Sequence, residues 1–178
     1  MLGVIFTNLI EMMEKEVGLE LTERVLDEAN TSSNGSYTSV GYYEPAEIVA
    51  IVTRLSVHTG VPIPDLVRKF GHYLFKLLAE GHPHAVAGKT SVIQILSTLD
   101  SHIHVEVKKL YPEADLPTFE TIEETDSYIK LLYTSTNRLE PLAEGLIAGG
   151  AEYFGEQVSI HIEPEPGSSS IIEVKKLD

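Results

Sequence analysis

The chain predicts an α+β fold: a helical N-terminal part over residues 1–111, then a small antiparallel sheet with one packed helix over 118–178. Two observations carry this. Apolar residues recur at helical spacing as far as Leu110, whereas Val158–Glu163 alternates apolar and polar as a half-buried strand does. Between the two regimes, Tyr111-Pro112 stops the helical pattern, and Pro112–Pro117 reads as a linker.

In order along the chain, Val4, Ile5, Leu9, Met12 and Met13 mark a first helix, and Leu19, Val25 and Leu26 a second. Asn30–Tyr43, rich in Ser, Thr, Asn, Gly and Tyr, reads as a loop. Pro45 stands at a helix start, with Ile48, Ile51, Val52 and Leu55 as its apolar face, and Gly60-Val61-Pro62 ends it. Asp65 opens the next helix, which carries Leu66, Val67, Phe70, Leu74, Leu77 and Leu78 until Gly81-His82-Pro83-His84. Thr90 or Ser91 caps one continuous helix whose stripe is Val92, Leu96, Leu99, Ile103, Val107 and Leu110. Beyond the linker, Ser127–Tyr133 suits a strand and Leu139–Phe154 a helix that tolerates Pro141 in its first turn. Val158–Glu163 and Ile171–Lys175 are strands joined across the polar turn Gly167–Ser170. No internal repeat or low-complexity tract appears.

A length of 178 residues suits one large domain, and 43% hydrophobic with 22% charged residues is ordinary globular composition. The net charge of −14 argues against nucleic acid and against an anionic membrane surface. It fits solubility or a basic patch on a partner protein. With no cysteine, disulfides, thiolate-bound iron and Cys-based zinc sites are excluded. The N-terminus lacks the basic region of a signal peptide, and no apolar run approaches the roughly 20 residues that span a bilayer. A soluble cytoplasmic protein is expected.

Two groups of residues bear on chemistry. His102 and His104, two apart on a helix, point about 200° from each other and so do not share one metal. Each falls at an edge of the apolar stripe, and periodicity does not choose between them. Two ordinary surface histidines are the plain reading, although a single neutral imidazole is the usual axial ligand of haem iron. Tyr133 and Ser135 lie on one side of a strand, where their hydroxyls reach the same ligand edge, but strand ends often carry hydroxyls. His82 and His84 read as a solvated turn, and His58, His72 and His161 have no ligand spacing. No nucleophile elbow, P-loop or dinucleotide fingerprint is present.

Taken together, these residues resemble the haem nitric oxide/oxygen binding (H-NOX) family, bacterial relatives of the sensor domain in the soluble guanylate cyclase beta subunit. The resemblance runs over nearly the whole chain: Met1-x-Gly3-x-Ile5-Phe6, Gly71 within Val67–Phe75, and Ile103–Tyr111, which is similar to the family's proximal helix. It implies haem b between the helical part and the sheet part, with His104 as axial iron ligand and His102 as a surface neighbour. It places Pro117 against the porphyrin. Tyr133 and Ser135 match the first two members of the family's Tyr-x-Ser-x-Arg propionate clamp. Asn137 stands at the arginine position with Arg138 one residue later, and both are candidate propionate contacts. The loss of a charge-assisted bond there corresponds to about 1–2 kcal/mol.

The resemblance also assigns a distal pocket to Leu9, Leu74 and Leu142, with Ile5 and Leu146 nearby. An aliphatic pocket has no donor for bound oxygen, so nitric oxide and carbon monoxide are the expected ligands, with no stable oxygen complex. In the family, nitric oxide weakens the iron–histidine bond, the porphyrin flattens and the two parts shift. No output domain is read in the chain, so a histidine kinase, diguanylate cyclase or chemotaxis receptor acting in trans is the expected partner. An enzyme is not expected, because a haem peroxidase needs distal acid–base groups. The alternative is a haem-free or weakly haem-binding interaction module of the same fold, which the Asn137 departure keeps open.

Overall fold

The computed structural model describes residues 1–177. It has the α+β class the sequence predicts, with eight α-helices and a four-stranded sheet among the described residues. The chain divides into two compact units, Met1–Phe70 and the residues from Gly71 on, so the division falls within a helix.

The first unit holds α1 (Gly3–Val17), α2 (Leu19–Ala29), α3 (Pro45–Thr59) and the start of α4 (Ile63–Gly81). Helix α1 packs on α2 and α2 on α3. The α3 stripe Ile48, Ile51, Val52 and Leu55 is buried as predicted, as are Leu9, Met12 and Met13 on α1 and Val25 on α2. Val4, Ile5 and Leu26 are only half-buried, Leu19 is exposed, and Phe6 joins the core instead. Pro45 occupies the first turn of α3, where its missing N–H costs no bond, and Gly60 closes the helix at φ +71°. The loop over 30–44 is fastened through Glu47, a buried carboxylate on α3. Its oxygens accept from Ser32 (2.8 Å), Ser33 (3.1 Å) and the Tyr37 hydroxyl (2.7 Å). Tyr37 in turn stacks on Phe6 with ring centroids 4.5 Å apart.

The second unit contains the rest of α4, α5 (Pro83–Val86), α6 (Val92–Ser97), α7 (His104–Leu110), β1 (Thr118–Thr125), β2 (Tyr128–Thr134), α8 (Glu140–Tyr153), β3 (Val158–Pro164) and β4 (Ser169–Lys176). The strands run antiparallel in the order β1-β2-β4-β3. Register pairs Ile129 with Val174 and Leu131 with Ile172, so the buried positions of β2 and β4 share one face. That face packs with Val92, Ile93 and Leu96 of α6 and Ala143, Ile147 and Ala151 of α8. Helices α4 and α8 approach closely. A Cβ on Gly71 meets the Leu142 carbonyl at 2.5 Å, and one on Gly149 meets the His72 carbonyl at 2.5 Å, so backbone contacts backbone where only glycine fits.

Three sequence expectations change. Strand β1 was not foreseen. The helix from Ser91 to Leu110 is not continuous, because Leu99–Ile103 forms a π-helical turn between α6 and α7. The histidine turn at 82–84 is the start of a short helix, with His82 as its N-cap.

Candidate functional site around His104

The run that ends in His104 is fixed first at its start. The Ser91 hydroxyl accepts the Gln94 N–H at 3.2 Å and the Gln94 side chain accepts the Thr90 N–H at 2.8 Å, so Ser91 is the cap. The Glu156 carboxylate, anchored by Lys176 at 2.9 Å, accepts the Val92 N–H at 2.9 Å. From Leu99 the backbone widens into the π-turn, which the His104 N–H closes onto the Leu99 carbonyl. Single π-turns inside helices concentrate at functional sites.

The turn sets Asp100 beside His104. The His104 Nδ1 lies 2.7 Å from one Asp100 oxygen, and the other oxygen accepts the Phe119 N–H of β1 at 2.5 Å. The His104 side chain is 18% exposed. Burial holds its pKa below the ordinary imidazole value, while the Asp100 charge and hydrogen bond pull the other way without winning. His104 is therefore neutral at neutral pH. A carboxylate only accepts, so Nδ1 carries the proton and Nε2 presents its lone pair. His102 is exposed, its Nδ1 2.8 Å from the Ser101 hydroxyl. His104 and Pro117 line one open concavity of about 490 Å³ with Asp100, Val105, Lys108 and Leu116.

Alternation along β2 carries Ile129, Leu131, Tyr133 and then Ser135 inward. Tyr133 is 2% and Ser135 8% exposed. Burial raises the Tyr133 pKa above the ordinary phenol value, against the hydrogen bond from Ser135, so the hydroxyl stays a donor. The Phe119 ring sits between the two groups, its centroid 6.0 Å from His104 and 5.1 Å from Tyr133.

The next two candidates are directed elsewhere. The Asn137 amide donates to Asp115 at 3.1 Å, and Thr136 donates to the same oxygen at 3.1 Å. Arg138, in the left-handed region at φ +49°, donates to Glu140 at 2.8 Å and to the Gly167 carbonyl at 2.6 Å. Its guanidinium is thus held against a carboxylate of the protein itself. The aliphatic candidates lie on two units: Ile5 and Leu9 on α1, Leu74, Leu142 and Leu146 on α4 and α8. Leu9 and Leu74 are fully buried.

Asp100, Phe119 and Asp115 were missed from sequence. The i, i+4 spacing of Asp100 and His104 was available as a signal, since residues four apart meet on a helix. Phe119 and Asp115 offer none. The donor set fits a haem at its iron: a half-buried neutral imidazole with the second nitrogen fixed by a carboxylate, plus two buried hydroxyls for acidic groups. Among the described residues no group of three or more His, Cys, Asp or Glu is arranged to hold a bare metal ion.

Residues 2–162 match the profile of a family described as haem-NO-binding. Comparison with curated protein sequences finds no match. Among solved structures, the chain resembles the ferrous unliganded H-NOX protein from K. algicida at 31% identity and TM-score 0.93, covering 100% of this chain and 97% of that one. It resembles the Shewanella woodyi H-NOX in its Fe(II)CO state, bound to IWP-051, at 40% identity and TM-score 0.85, covering 99% and 95%. It also resembles the S. oneidensis H-NOX in its Fe(II)NO state at 28% identity and TM-score 0.91, covering 100% of both.

Proposed function

Because the chain belongs to the haem-NO-binding family, we propose that it is one haem-based gas-sensing domain over 1–178, taking nitric oxide and carbon monoxide at ferrous haem b ligated by His104. The observation that carries this is the imidazole itself: half-buried, neutral, and fixed by Asp100 so that Nε2 is the free donor. The haem supplies ferrous iron, the atom to which either gas binds. With no cysteine to form thioether links, a non-covalent b-type haem suits the chain.

The protein side does four things in this reading. His104 tethers the iron. Pro117, beside it in the concavity, packs against the porphyrin. Tyr133 and Ser135 give hydroxyl hydrogen bonds to the propionates, with Asn137 and Arg138 able to add to them only by leaving Asp115 and Glu140. Ile5, Leu9, Leu74, Leu142 and Leu146, the residues the family resemblance assigns to the distal side, have aliphatic side chains without a hydrogen-bond donor, so bound oxygen is not stabilised. Several tyrosine hydroxyls are committed elsewhere: Tyr37 to Glu47 and Thr31, Tyr43 to the Thr38 N–H. Tyr153 is 46% exposed and packs on Phe75 and Phe154.

The output is a change of shape read by a partner in trans, a histidine kinase, diguanylate cyclase or chemotaxis receptor with a basic docking face, in the cytoplasm. No single helix among the described residues is long and apolar enough to cross a membrane. The sensor role is not enzymatic. A haem-free module of the same fold is the second reading, favoured by the engagement of Asn137 and Arg138 with acidic side chains.

Haemin titration decides between them. The purified protein develops a Soret band that His104→Ala loses and added imidazole restores, while His102→Ala leaves the ferrous spectrum unchanged. A folded protein that takes up no haemin overturns the sensor reading.

A further inference from the structure

We propose that Asp100 is a positioning residue with two tasks: it sets the strength of the bond between His104 and iron, and it passes the state of that bond to strand β1. The inference rests on the haem reading above and deepens it. Three observations carry it. Asp100 sits in the π-turn, where the widened backbone brings it onto His104. Its two oxygens are divided between different elements, one on the His104 ring at 2.7 Å and one on the Phe119 N–H at 2.5 Å. Phe119 then stands between His104 and Tyr133.

A carboxylate on the far nitrogen of a ligating imidazole raises its basicity and fixes its orientation. Linkage makes the effect mutual: if the Asp100 hydrogen bond strengthens coordination, coordination strengthens that hydrogen bond by the same factor. When His104 leaves the iron, its hold on Asp100 therefore weakens, and the carboxylate redistributes toward its other donor. That donor is the second residue of β1, an edge strand paired with β2 alone and exposed at seven of its eight positions, with Glu120, Glu123 and Glu124 on its surface. An edge strand held on one side only is the element of the sheet least resisted by packing.

The test compares wild type, His104→Ala and Asp100→Asn as ferrous holoproteins and as apoproteins. An asparagine has one accepting oxygen and no charge, so it serves only one of the two donors. For Asp100→Asn we expect the iron–histidine stretching band in resonance Raman to move to lower frequency, haemin affinity to fall roughly 10- to 100-fold, and amide exchange at Phe119 to quicken even without haem. In wild type, nitric oxide changes exchange at Phe119 and not at Ile172 in the buried strand β4; in Asp100→Asn that response is lost. An unchanged stretching band together with a wild-type Phe119 response in Asp100→Asn overturns the proposal. Should that variant fail to fold, a wild-type Phe119 amide indifferent to nitric oxide overturns the relay by itself. A Soret band retained in His104→Ala contradicts the haem assignment instead, so the two failures are distinct.

Discussion

Glu47 in the first unit and Asp100 in the second both gather donors on both carboxylate oxygens, yet the company each keeps is different. Glu47 is 7% exposed and accepts from three hydroxyls, all from a loop closing on its own helix. The further contacts of Tyr37, to Thr31 and Phe6, stay within the same unit, so the cluster is a fastener. Asp100 accepts from one imidazole whose remaining nitrogen keeps a free lone pair and from one backbone N–H on an edge strand. Its partner is one that can be taken up by something else. A carboxylate that gathers donors is thus a structural pin or a coupling element according to whether its donors are closed or still have chemistry to offer.

The largest effect that separates the two sites is expected from His104→Ala, which abolishes the axial ligand and with it the Soret band of the ferrous protein, but shifts the urea midpoint of the apoprotein little. Glu47→Gln is expected to do the reverse. It removes a charged acceptor from three hydroxyls and costs about 2–3 kcal/mol of stability, read as a lower urea midpoint, with the haem spectrum intact. The pH dependence has a definite sign. Burial pushes the Glu47 pKa up, but the bonds from Tyr37, Ser32 and Ser33 outweigh it and leave the pKa below the ordinary 4.5. The stability it contributes is present above 4.5 and lost as pH falls through the lowered value. Wild type should lose stability in that acid window, and Glu47→Gln should lose less there. An equal acid loss in both breaks the comparison.

A smaller effect is expected at the hydroxyl edge. Asn137→Arg combined with Asp115→Asn supplies a charged donor and removes the carboxylate that now holds residue 137. The gain expected is about 1–2 kcal/mol in haemin affinity, measured by competition with apomyoglobin. The smallest effect is at His102, where alanine should change neither the spectrum nor the urea midpoint.

Much of this was legible in sequence because burial follows period. The stripe of α3 is buried as read and those of α1 and α2 in part, the stretches read as strands are β2, β3 and β4, and Gly3 and Gly71, singled out by resemblance, are both positions where a Cβ collides with backbone carbonyls. Strand β1 was not legible, since Thr-Phe-Glu-Thr-Ile-Glu-Glu-Thr is exposed on both faces and has no alternation to show. The π-turn alters the hydrogen-bond ladder without altering the apolar pattern, so the periodicity ran through it. The fates of Asn137 and Arg138 depend on Asp115 and Gly167, 22 and 29 residues away, and no local signal reports such partners.

The central claim is that His104 holds a haem iron in a setting that takes nitric oxide and refuses oxygen. It is tested most directly by the electronic spectrum of the reduced, haem-loaded protein, recorded in air and again under nitric oxide. The account predicts a Soret band that shows no stable oxygen complex in air and shifts on adding nitric oxide. A persistent oxygenated spectrum in air, or a folded protein that cannot be loaded with haem, contradicts it.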